Sequence, residues 1–230
     1  MLFDLRGRGR RRTVQAIYLS LALLMGGGLI FFGIGGGTNG GLLDAINGNG
    51  GGSGTSVDAL YKKRLASFEQ RLRVNPSDQA ALLGMTKLRF ENAGTGENFN
   101  QSQQAYTEKG LGELRQASAA WQRYLAQNPA KPDPDTANIM ATAYGPTGLK
   151  QYARAVQALE IVIANRKESA SLYAQLAILA AGANQTRKSN LSEEKAIALA
   201  PKAQRKQLKS EIDLQKSQIT ATSAGQSQSG

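Results

Sequence analysis

The chain has 230 residues and carries 28 Lys/Arg against 17 Asp/Glu, a formal net charge of +11. It contains neither cysteine nor histidine, which excludes disulfides, thiolate nucleophiles, the usual zinc sites and imidazole acid–base chemistry. Aromatic residues make up only 6%, and Ala, Leu, Lys and Gln dominate beyond residue 57, a palette that predicts an all-α fold.

Residues 1–12 (MLFDLRGRGRRR) form a basic headpiece with Arg6, Arg8, Arg10, Arg11 and Arg12. The 22 residues that follow, 13–34, carry no charge. As an α-helix they would span about 33 Å, enough to cross the hydrocarbon core of a bilayer. The run exceeds the roughly 7–15 residues of a secretory h-region and lacks an Ala-x-Ala cleavage site, so it reads as a permanent transmembrane helix, a cleaved signal being the alternative. The five arginines flank one side, and the first Lys/Arg on the other is Lys62. Basic flanks stay cytoplasmic, so the expectation is a single-pass protein of the plasma (inner) membrane with its C-terminal domain outside. That placement argues against nucleic acid as partner.

Gly33 and Gly37 form a GxxxG, a spacing through which two membrane helices can pair; the other reading is that they mark the helix exit. Residues 35–56 (GGGTNGGLLDAINGNGGGSGTS) predict a flexible glycine-rich linker with a root-mean-square span of about 26 Å.

From Val57 the pattern turns helical. Val57, Leu60, Tyr61, Leu65, Phe68 and Leu72 share one face, Thr55-x-x-Asp58 resembles a capping box, and Asn75-Pro76 ends the helix. VNPSD at 74–78, QNPAK at 127–131 and LAPK at 199–202 each close an apolar-periodic segment. Between and around them helices are expected at about 78–93, 103–127, 135–144, 149–165, 170–182 and 190–200. Residues 202–219 predict a charged amphipathic helix that covers the end of the array, or else a basic membrane- or polymer-binding helix, and 220–230 a polar disordered tail.

The recurrence resembles the tetratricopeptide repeat (TPR). In a third unit Tyr173, Leu176-Ala177, Ala196 and Pro201 stand at the consensus offsets, whereas Ala180, Ser189 and Glu193 depart from them. In a middle unit Met140-Ala141, Tyr144, Ala155 and Leu159 match if residues are inserted around Gly145–Gly148, with Lys167 where proline is usual. In a first unit Ala117, Trp121 and Pro129 fit a second helix, and the polar insertion GTGENFNQSQQ separates it from its partner. The resemblance covers residues 57–201 and implies an array of about 2.5–3.5 helix pairs over 57–219 whose first helices line a groove. The groove candidates are Lys87, Phe90, Asn138, Thr142, Ser171, Ala174 and Ile178.

No set of reacting groups emerges. Asp133/Asp135 and Glu193/Glu194 stand where helix starts are expected and read as caps; no calcium loop is present, and no Ser–Lys spacing singles out a dyad. The sequence therefore predicts binding rather than catalysis, with no cofactor and no metal. One membrane helix, a linker and a degenerate outward array together resemble bacterial envelope TPR proteins that accompany the Sec translocon. That resemblance implies protein partners, among them Sec components or emerging secretory chains. The second expectation is a structural coordinator of envelope or cell-wall assembly that holds anionic polymer or synthetic enzymes on its basic faces.

Overall fold

A computed structural model describes residues 57–227. The basic headpiece, the apolar run 13–34, the glycine-rich linker and the Gly33/Gly37 pair lie outside the described residues. Among those described, no helix is long and apolar enough to cross a membrane.

The described chain is helical, with eight α-helices in repeat-like packing. They are α1 (Val57–Val74), α2 (Gln79–Ala93), α3 (Glu108–Leu125), α4 (Pro134–Ala143), α5 (Tyr152–Asn165), α6 (Ala170–Gly182), α7 (Thr186–Leu199) and α8 (Arg205–Ser227). Side-chain caps set several of the starts. Asp78 accepts from the Ala81 amide at 3.0 Å, Thr107 from Gly110 at 3.3 Å, Asp133 from Thr136 at 2.7 Å and Ser169 from Leu172 at 3.3 Å. Each satisfies an amide that the first helical turn leaves without a partner, and Pro134 adds a residue already fixed at helical φ.

The helices pair as three hairpins, α2/α3, α4/α5 and α6/α7, with α1 packed on α2 and α8 packed on α6 and α7. The second and third hairpins share a turn. Lys150 (φ 54°) and Asn184 (φ 58°) are left-handed, and each is followed by a glutamine of nearly equal backbone, Gln151 (φ −95°, ψ 67°) and Gln185 (φ −92°, ψ 64°). From Gln151 to Gln185 is a step of 34 residues. Residues at the same step after these turns correspond as well: Ala155 and Ser189 are both buried, and the Ser189 hydroxyl donates to the Ala177 carbonyl at 2.8 Å. A polar residue is tolerated there because the facing helix backbone accepts its hydrogen.

The core runs through all three hairpins. Trp121 (1% exposed), Leu114 and Ala117 on α3 meet Leu82 and Met85 of α2, and Tyr144 stands fully buried at the end of α4. The Tyr144 hydroxyl is shared with Ser118 at 2.8 Å and receives the Gln122 side-chain amide at 3.2 Å. Gly148 makes the turn that follows possible: a Cβ there would lie 2.2 Å from the Ala143 carbonyl oxygen, which accepts from the Leu149 amide.

Three boundaries differ from the sequence expectation. The helix expected over 103–127 begins at Glu108, because Phe99–Asn100 and Ala105–Tyr106 pair as a short antiparallel hairpin, β1 and β2, with the Phe99 and Tyr106 rings edge to face at 5.2 Å. The Asn100 side chain accepts from the Ser102 and Gln103 amides and turns the chain before a helix can start. The helix expected from 190 begins at Thr186, where Ser189, Asn190 and Ser192 hide its apolar period. The last helix continues to Ser227 through a stretch expected as polar tail.

Candidate functional site

The first helices α2, α4 and α6 carry the residues expected to line a groove. α2 meets α4 directly. Lys87 of α2 lies 3.6 Å from the Asp133 carboxylate at the start of α4, with its side chain 40% exposed. Burial pulls Asp133 upward, but the hydrogen bonds from Thr136 and the charge of Lys87 outweigh it and hold the carboxyl below its ordinary range. Lys87 therefore ties two hairpins together as well as facing outward.

The remaining candidates fall into two groups. Phe90 is half-buried and packs against the core. Asn138 and Thr142 are half-buried neighbours one helical turn apart, the Thr142 hydroxyl donating to the Asn138 carbonyl at 3.3 Å. Ser171 is exposed beside Ser169, their hydroxyls 3.2 Å apart. Ala174 and Ile178, by contrast, are only 8% and 7% exposed. The reading that placed them in an open groove is corrected by the packing of α6. This helix is covered by α5, α7 and α8, so residues off its main stripe are buried too. The structure thus gathers Lys87 and Phe90 on α2 close to the helix bearing Asn138 and Thr142, and it withdraws Ala174 and Ile178 from solvent.

Beside Lys87 stands a group that the sequence reading did not single out. Glu91, one turn further along α2, is half-buried, and this desolvation raises its pKa while Arg64 and Lys87 pull it back. The Lys87/Glu91 spacing of i, i+4 was the available signal.

A second polar cluster lies inside the N-terminal part. Arg89, 8% exposed on α2, ion-pairs with Glu113 of α3 at 2.9 Å and with Glu69 of α1 at 3.8 Å. Tyr61 of α1 donates to the same Glu113 oxygen at 2.8 Å, and burial together with that bond pushes the phenol up to about 12. Its polar atoms face one another across three helices, so the cluster fixes their packing.

Among the described residues, no group of three or more acidic side chains could hold a metal ion. Around α2 and α4 the chain thus brings near one another a half-exposed cation, a partly desolvated carboxylate, a half-buried aromatic ring and two small polar side chains. Comparison with known proteins finds no matching family model, no matching curated protein and no matching solved structure.

Proposed function

We propose that the chain is a membrane-tethered scaffold whose helical array lies outside the cytoplasm and binds protein partners near the membrane. The observation that carries the reading is the stack of three helical hairpins, in which the turns of the second and third stand 34 residues apart, the period of tetratricopeptide arrays. Such arrays bury one side of each helix pair and leave the first helices free to hold a partner, here around Lys87, Phe90, Asn138 and Thr142. The uncharged run 13–34 behind five arginines supplies the anchor and its direction. Tethering raises the local concentration of partners at the same membrane, emerging secretory chains or Sec components among them, so a groove of modest affinity suffices. Chemistry is left to those partners.

Photocrosslinkers placed at Lys87, Asn138 and Thr142 in intact membranes test the groove. Capture of Sec components or secretory chains is the expected result, and background labelling at all three positions removes the groove assignment. A topology reporter fused at Gly230 tests orientation, and a cytoplasmic signal overturns the outward placement.

The excess of 23 Lys/Arg over 15 Asp/Glu after residue 50 favours a second reading, a coordinator of envelope assembly that holds anionic polymer or synthetic enzymes. Polymer binding weakens steeply with ionic strength, whereas apolar peptide in the groove stays bound.

A further inference from the structure

The turns that join one hairpin to the next lie together on one edge of the array, because α2, α4 and α6 all start there and α3, α5 and α7 all end there. Side-chain contacts stitch that edge. Arg123 at the end of α3 donates to the Pro76 carbonyl at 3.2 Å, Arg166 at the end of α5 pairs with Asp135 of α4, and Lys195 of α7 pairs with Glu168 at 3.0 Å. These bonds consume the carboxylates of the edge: Asp78 is held by Arg71 at 2.8 Å, Asp133 by Lys87, Asp135 by Arg166 and Glu168 by Lys195. The turns and the helix ends beside them also display Arg73, Lys131, Lys167, Lys202 and Lys206, all exposed, and no ion pair within the described residues engages them. Every turn of the edge thus adds cationic charge that no neighbouring acid offsets.

We propose that this edge is the face with which the domain rests on an anionic lipid surface, the headgroup phosphates taking the place of the missing carboxylates. The proposal rests on the membrane-tethered reading above, which brings the domain beside lipid. The connections on this edge, 75–78, 126–133, 166–169 and 200–204, give a row of charge along the array, which suits a flat partner better than a cleft-seeking peptide. The opposite edge is basic too, with Lys150, Arg154 and Arg187, and its acids Glu97 and Glu108 are paired with Lys109 and Arg115; what interrupts its row is the long insertion that carries the β1–β2 hairpin. Attraction of this kind falls off within a screening length of about 8 Å at physiological salt, so only the edge that faces the bilayer contributes.

The chain has no cysteine, so single labels are unambiguous. Full-length protein carrying Ala130→Cys on the proposed edge, or Thr147→Cys on the opposite one, is labelled with a fluorophore. It is then mixed with vesicles of phosphatidylcholine alone or with phosphatidylglycerol, each bearing a headgroup quencher. The expected result is quenching at position 130 several-fold stronger in the anionic vesicles, little change at 147, and loss of the difference at about 1 M salt, where the screening length is about 3 Å. The variant K131E/K167E/K202E abolishes the difference while keeping its circular dichroism and melting temperature, since none of the three is buried or paired. Equal quenching at both edges, or quenching that survives charge reversal, overturns the proposal. Flotation with pure phosphatidylcholine vesicles after alkaline washing reads the anchor separately. A chain that fails to float removes the tether, while the quenching comparison still decides the edge from protein added in solution.

Discussion

At the scale of single residues, Arg89 shows how packing converts an ordinary helix charge into a structural one. Its guanidinium is nearly enclosed, and its partners Glu113 and Glu69 arrive on two other helices. Arg89→Met strands Glu113 in a poorly solvated place, and a loss of about 3 kcal/mol in urea denaturation is expected. Adding Glu113→Gln removes the stranded charge, so the double variant should lose clearly less than the sum of the single ones. Purely additive losses would mean that the ion pair does not operate. Gly148 carries a backbone role: Gly148→Ala drives a methyl into the Ala143 carbonyl, and a loss of about 2 kcal/mol or more is expected from the same measurement. Neither role is written in the local sequence. Arg89 reads like any solvated charge until α1 and α3 close over it, whereas Trp121, Tyr144 and Leu159 are legible as core because their spacing follows a helical period and they have little else to do.

At the scale of elements, α8 is the one held most visibly by charge. Lys209 and Lys216 reach the same Glu193 carboxylate of α7 at 2.9 and 2.8 Å, while Ile212 and Ile219 are buried beneath. Ile219 fits because Gly182 at the end of α6 has no side chain; a Cβ there would stand 2.9 Å from the Ile219 Cδ1. Burial raises Glu193, but the two lysine hydrogen bonds and charges outweigh it and leave the carboxyl below its ordinary 4.5. A carboxyl lowered on folding contributes stability that is present above its unfolded pKa and lost as pH falls through the folded one. Amide exchange across residues 208–219 should therefore accelerate, relative to α3, below about pH 4.5, and Glu193→Gln should show the faster exchange already at neutral pH and lose most of the pH dependence. Unchanged protection of α8 in that variant would leave the isoleucines as its sole anchor. Asp133→Ala removes the cap of α4 and is expected to cost about 1 kcal/mol, read from a denaturant midpoint. The helices themselves were largely legible from apolar period, caps and prolines. The hairpin at 99–106 was not, since its stabilising contacts are a ring pair and an asparagine turn within a polar insertion that has no period to read.

At the scale of the molecule, the hairpins, their order and the packing of the last helix on the third hairpin follow from the sequence pattern, but the exposure of the groove candidates was only half legible. Periodicity tells which side of a helix is apolar; it cannot tell how many neighbours will cover the other sides. α6 is apolar almost throughout, which was itself the signal that α5, α7 and α8 surround it and that Ala174 and Ile178 face no solvent. On the proposal made above, the edge where the hairpins join would give the domain a direction with respect to a lipid surface, while α8 covers one end of the hairpin array. That end has a mechanical consequence. Within the described residues α8 is linked covalently to the array through its start, so a load applied at its far end would peel its side-chain contacts away one after another, from Ile219 back to Leu208, instead of shearing them together. Its 23 residues would release about 75 Å of extended chain at low force, before the hairpins beneath begin to yield. A partner that pulls on this terminus would meet a compliant leash first and a stiff array second.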